Sequence, residues 1–206
     1  MVEKLDFKKE FAQLYAPKNK DWELVEVPVM NFLMVDGRGD PNTARDYSDA
    51  VEALFALAYA IKFLSRKRLG RDYVVAPLEG LWTANDPAVF ENAQQAQYQW
   101  TMMIMQPDWI TESMVSETMT ATRAKKDLPA LSKVRFERYD EGRALQLLHV
   151  GSYDDEAPKL KYLHAEFMPQ HELTFNGLHH EIYLSDPRKT APSKLKTILR
   201  QPVKQL

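Results

Sequence analysis

The chain has 206 residues, of which 45% are hydrophobic and 11% aromatic, enough for a packed core in one large domain or two small ones. Its formal net charge is −2, with acidic and basic residues interspersed, so no basic surface argues for a nucleic-acid partner. It has no cysteine, which removes disulfides, thiol nucleophiles and cysteine metal sites. The first residues, MVEKLDFKKEF, lack the apolar run of a signal peptide, and no stretch approaches the length of a membrane span. A cytoplasmic protein away from membranes is therefore expected.

In chain order, LDFKKEFAQLY places Leu5, Phe11, Leu14 and Tyr15 at roughly helical spacing before Pro17, predicting a short docking helix. ELVEVPVMNFLMVDGRGD reads as extended up to a turn at Gly37 and Gly39, with Asp40 or Asn42 as cap of the next helix. From 44 to 64, Tyr47, Val51, Leu54, Phe55, Ala58, Ile61 and Leu64 recur at three and four and predict a long helix leaving through RKRLGR. DYVVAPLEGLWT and YQWTMMIMQPD read as a strand pair, followed by a helix over 111–126 capped by Thr111. KVRFERYDE and GRALQLLHVGSY read as a second strand pair. A helix then starts near Asp154 or Asp155 and ends near Met168, HELTFNGLHHEIYLSDP reads as a hairpin, and PSKLKTILRQPV closes the chain, helical at first.

The second half thus repeats the order of the first in shorter form, with about 20–126 and about 132–206 as halves of a single domain spanning 1–206. Aligned on Pro107 and Pro187, Thr101 matches Glu181 and Met103 matches Tyr183. Strand alternation puts His179, Glu181 and Tyr183 on one face and His180 and Ile182 on the other. A glutamate is disfavoured in a strand, so Glu181 faces either water or a site.

The combination of APLEGLW (76–82), MIMQPDW (103–109), HVGSYDDE (149–156) and EIYLSDPRKTAPSKLKTILR (181–200) resembles the GyrI-like small-molecule-binding family, in its stand-alone cytoplasmic branch. The resemblance implies an α+β fold, a pseudo-symmetric pair of βαββ units forming one antiparallel sheet with helices packed on it, and a ligand groove between the halves. It implies that Glu181 is the pocket acid among aromatic side chains that bind organic cations or flat xenobiotics. Some stand-alone members hydrolyse cyclopropane-bearing DNA-alkylating compounds. No helix-turn-helix signature precedes the domain, so a transcriptional role is not expected.

Candidate site residues follow. Trp82, Trp100 and Trp109, three of the four tryptophans, lie around the first predicted hairpin, either as stacking walls or as core. Tyr183 shares a face with Glu181 and could donate a hydrogen bond, or could simply suit a strand. Glu79, beside Gly80, could enter the same groove or sit in solvent at an edge; Phe55 and Tyr59 could line it or pack in the core. His179 and Glu181, with His164 or His171, could ligate a metal, but no ligand spacing such as HExxH is present. The P-loop, GxSxG and Rossmann signatures are missing as well, so no cofactor is expected. Two functions compete: a receptor for hydrophobic, flat or cationic small molecules, and a hydrolase in which Tyr183 or a protonated Glu181 supports ring opening by water. A third, inhibition of a macromolecular partner, draws more on the family name than on these residues and would need an exposed patch.

Overall fold

The computed structural model describes residues 4–83 and 95–206. The chain opens with β1 (Lys4–Leu5), the helical turns α1 (Phe7–Glu10) and α2 (Ala12–Tyr15), then β2 (Glu23–Val27) and β3 (Met30–Arg38). The long helix α3 (Arg45–Leu69) leads through β4 (Asp72–Tyr73) to β5 (Leu78–Thr83), β6 (Gln99–Gln106) and α4 (Glu112–Arg123). Next come β7 (Arg135–Tyr139) and β8 (Gly142–Val150). A helical stretch follows, containing α5 (Ala157–Tyr162), a π turn (Leu163–Phe167) and α6 (Met168–Gln170); β9 (Leu173–Phe175), β10 (His179–Tyr183) and β11 (Lys196–Gln205) complete the chain. Among the described residues, no helix is long and apolar enough to cross a membrane.

The fold is α+β. Nine strands make one antiparallel sheet in the order β2-β8-β11-β10-β5-β6-β3-β7, with β9 added beside β11. The β10–β5 pair is its middle. Outward from it come β11, β8 and β2 on one side, β6, β3 and β7 on the other.

Helix α3 packs on β3 and β6, burying Ala50, Leu54, Leu57 and Ile61, which fall on one stripe at the helical period. On the other half of the sheet, Leu163 and Met168 form a smaller core with Trp22, Leu145, Leu147, Leu199 and Val203. Between these two covered regions the central strands β5 and β10 carry polar and aromatic side chains.

Several local expectations differ from the structure. KVRFERYDE and GRALQLLHVGSY do not pair: β7 joins β3, and β8 lies between β2 and β11. HELTFNGLHHEIYLSDP is no hairpin, because β9 and β10 are both antiparallel to β11 and so run the same way. The closing segment has one helical turn, Pro192–Lys194, before becoming β11, seven consecutive residues of which are buried. A strand covered on both faces loses the period-2 polarity that identifies strands in sequence. The residues aligned on Pro107 and Pro187 are not neighbours in space. The neighbour of β10 is β5, so Gly80 lies across from Glu181 and Leu78 from Tyr183, whereas Thr101 and Met103 are one strand further on. Finally, Ala44 holds the N-cap position of α3 without a side-chain bond, while Asp40 caps the preceding turn through Asn42 N (2.8 Å) and Thr43 Oγ1 (3.1 Å).

Candidate functional site: an aromatic cage around Glu181

Trp82 and Trp100 are register partners across β5 and β6 and point to the sheet face that α3 covers. Two glycines make room for their rings. A Cβ on Gly37 would lie 2.0 Å from the Trp100 ring, and one on Gly80 would lie 2.9 Å from Trp82 Nε1. Each indole therefore lies over a glycine of its own or a neighbouring strand, a close approach that any other residue obstructs.

The Trp82 indole reaches along its strand and donates Nε1–H to the Tyr183 hydroxyl (2.9 Å); Tyr183 in turn donates to Glu181 Oε2 (2.8 Å). Chained in one direction, the two bonds polarise each other and aim the phenol proton at the carboxylate. His179 Nε2 lies 3.3 Å from Glu181 Oε1. The Glu181 side chain is only 15% exposed, so it does not occupy the water-facing strand position that composition alone allows.

More rings complete the cage. Tyr47 of α3 stacks on Trp82 (centroids 6.5 Å) and meets Trp100 edge-on (5.3 Å); Tyr98 meets Trp82 edge-on (6.0 Å); Tyr153 meets Tyr183 edge-on (6.0 Å). These are ordinary geometries for attractive aromatic pairs. Burial, and after it the charge on Glu181, raises the pKa of Tyr47, Tyr98 and Tyr183, and pushes Tyr153 up to about 12. All four phenols therefore keep their protons and can act as donors in the field of one carboxylate.

A second acid shares this environment. Glu156, 5% exposed on the turn after Tyr153, is pushed up to about 9 by burial and by the charge on Glu181. At neutral pH Glu156 therefore holds its proton in the field of Glu181. His149, on the same side of the sheet, is lowered by burial; its Nε2 lies 2.9 Å from the Ser152 carbonyl and its Nδ1 2.9 Å from Lys159 Nζ, so the neutral ring donates at Nε2 and accepts at Nδ1.

The expected site residues divide sharply. Glu181, Tyr183, Trp82 and Trp100 come together. Glu79 does not join them: alternation turns it to the opposite sheet face, where it is fully buried, accepts from Tyr15 (2.8 Å) and lies 3.0 Å from His180 Nε2. Trp109 packs at the far end of α3, donating to Ser65 Oγ (2.9 Å) and lying under the Arg71 guanidinium (3.7 Å) and against Tyr73. Phe55 and Tyr59 pair with each other further along α3, ring centroids 6.5 Å apart, with Tyr59 48% exposed. Tyr47, Tyr98, Tyr153 and Glu156 were missed. For Tyr153 and Glu156 the signal was available, because HVGSYDDE carries them; Tyr47 was hidden within the helix periodicity as one more apolar-face residue.

Behind the cage, on the reverse face, lies a buried polar network. His180 stands between Glu141 Oε1 (2.8 Å) and Glu79 Oε2 (3.0 Å), and Arg200 donates to Glu141 Oε2 (2.9 Å), to Gln146 and to the Leu14 carbonyl. Burial opposes its charge, but the two carboxylates outweigh it and raise His180 to about 9. Its two partners make His180 a doubly donating imidazolium that ties β10 to β5 and to the segment before β8. A depression lined by residues 123–132, after α4, holds no aromatic ring and is remote from this chemistry.

The profile of the GyrI-like small molecule binding domain matches residues 20–204. The chain is similar over 98% of its length to all of an uncharacterized conserved protein from Listeria innocua, at 44% identity and a TM-score of 0.89. It is similar over the same share to all of two crystal structures called hydrolases from the same organism, each at 42% identity, with TM-scores of 0.85 and 0.87. No curated protein sequence matches. The chain belongs to the GyrI-like small-molecule-binding domain family.

Proposed function

We propose that this GyrI-like domain binds flat, hydrophobic or cationic aromatic molecules in the cage, as a cytoplasmic receptor or sequestering protein for xenobiotics. The mirrored strand order about β10 and β5 supports reading residues 20–126 and 132–206 as duplicated halves of one domain, with the groove at their junction. The observation that carries the function is a carboxylate, 15% exposed, that is bonded to Tyr183 and ringed by Tyr47, Tyr98, Tyr153 and Trp82. Aromatic faces attract a flat cation, and Glu181 complements its charge where water no longer screens the pair.

Titration with a flat aromatic cation such as ethidium tests this. Saturable quenching of the tryptophans is expected, with affinity reduced roughly tenfold or more in E181Q, the scale of losing one desolvated charge partner. Equal affinity in parent and variant would overturn the assignment.

A second reading is supported by the Tyr183 bond to Glu181 and by two related structures being called hydrolases. The cage would stack a cyclopropane-bearing alkylator while Tyr183 or a protonated Glu181 hydrogen-bonds the oxygen that gains charge, and water opens the strained ring. Mass spectrometry of such a compound after incubation separates the two: unchanged compound despite tight binding leaves the receptor alone.

A further inference from the structure

The groove has a polar end that cation binding does not use. Thr197 of β11 is the register partner of both Tyr183 and His149, and its Oγ1 is buried without a hydrogen-bond partner among the described residues. Glu156 Oε1 is likewise buried without a hydrogen bond of good geometry, while the Glu156 carboxyl lies close enough to the Thr197 hydroxyl for that group to lower its pKa against the larger upward push of burial. The turn that carries Glu156 is seated on the cage through the Tyr153–Tyr183 ring contact. A buried carboxyl oxygen without a well-placed partner is destabilising and is unusual in a folded protein unless another molecule completes it.

We propose that Glu156 is a second ligand-binding residue, which donates its carboxyl proton in a hydrogen bond to an acceptor oxygen on a flat aromatic ligand. The proposal rests on the groove reading above and narrows it to planar molecules bearing a carbonyl or similar oxygen near one edge. An ammonium group is the poorer fit at this end. Glu181 already supplies the anionic charge, and a second carboxylate so close to it, in a buried setting, resists ionisation. The groups that act on Glu156 are Glu181 and Tyr183 of β10, Tyr153 on its own turn, Thr197 of β11 and Lys159 one turn further on.

Fluorene and 9-fluorenone form the test pair, since both are flat neutral tricycles and only the second carries a carbonyl. Near neutral pH the parent is expected to bind fluorenone about 3–10-fold more tightly, the worth of one net hydrogen bond. E156L is expected to bind both equally, and E156Q, whose amide still donates, to keep the preference. In the parent the preference should fade as the pH passes about 9, where Glu156 gives up its proton. His180 deprotonates over the same range on the reverse face, so E156Q, which retains His180, serves as the control and should keep its preference at high pH. If the parent binds both tricycles equally, or E156L keeps the preference, the Glu156 assignment is wrong while the groove stands. If neither tricycle nor ethidium quenches the tryptophans, the groove reading falls and takes this assignment with it.

Discussion

Gly80 occupies the space through which Trp82 reaches Tyr183, so G80A tests the cage with one methyl group. The added carbon would lie 2.9 Å from Trp82 Nε1 and 3.2 Å from Met102 Sδ and Cε. Ordinary contact begins near 3.4 Å, so the indole must retreat by about 0.5 Å, and it is hemmed in by Tyr47 and Tyr98. The retreat stretches the 2.9 Å bond to Tyr183 to roughly 3.4 Å, beyond useful range. Three contributions follow: about 1–3 kcal/mol for overpacking, about 0.5–1.5 kcal/mol for the lost bond, and about 0.5–1 kcal/mol regained because alanine has less freedom to lose on folding. The net is a destabilisation of about 0.5–4 kcal/mol, or a melting point lower by about 1–16 °C for a chain of this size. Because Tyr183 loses its donor and the stacking wall tilts, ethidium affinity is expected to fall about tenfold. Thermal melting and fluorescence titration on the same preparation read both effects. A G80A protein that melts lower yet binds ethidium as tightly as the parent would show that the Trp82–Tyr183–Glu181 chain shapes the core and not the ligand site.

Four further outcomes are expected. Y183F leaves the Trp82 N–H and one Glu181 oxygen without their partner and should cost about 1–3 kcal/mol of stability, measured by urea unfolding; a variant as stable as the parent would mean water replaces the hydroxyl. E181Q should be as stable as the parent or slightly firmer, with weaker binding of cations and nearly unchanged binding of neutral stacking ligands; equal loss for both ligand types would deny the charge any part. W109A should lower stability by about 3 kcal/mol or more and leave ethidium affinity intact, since Trp109 packs on Tyr73 and Arg71 away from the cage. Stability should also depend on pH. His180 is raised to about 9, so its contribution is complete below its unfolded value near 6.5 and is lost as pH climbs through about 9. Glu156, raised to about 9 from an ordinary value near 4.5, adds a decline over that wider window, whereas Glu141, held at about 2 by His180 and Arg200, loses its contribution only as pH falls from about 4.5 toward 2. Melting points should therefore be highest near pH 4.5 with respect to these groups and fall from there toward pH 9, and E156Q should flatten part of that decline; a parent that melts higher at pH 9 than at pH 6 would contradict it.

The sequence by itself determined what depends on near neighbours. The stripe from Tyr47 to Leu64 defined α3, Thr111 did cap α4 by accepting from Met114 N (3.3 Å), and alternation along HHEIY put Glu181 and Tyr183 on one face. The same rule also held the answer on Glu79, since alternation from Gly80 forces it to the other face once β5 is set beside β10. Which strands would be neighbours was beyond local pattern. Strand pairing is decided by contacts far apart in the chain, such as Trp82 with Tyr183, 101 residues away, or Arg200 with Leu14, 186 residues away. That is why β11 read as a tail. Trp82, Trp100 and Trp109 look alike in sequence, yet the two whose rings lie over a glycine, Gly80 of the same strand and Gly37 of the neighbouring one, join the cage, and the one after Pro107 packs behind α3. Glu156 shows the same limit in its charge. Nothing in SYDDE distinguishes it from Asp154 or Asp155; only burial beside Glu181, which the tertiary fold imposes, keeps its proton in place.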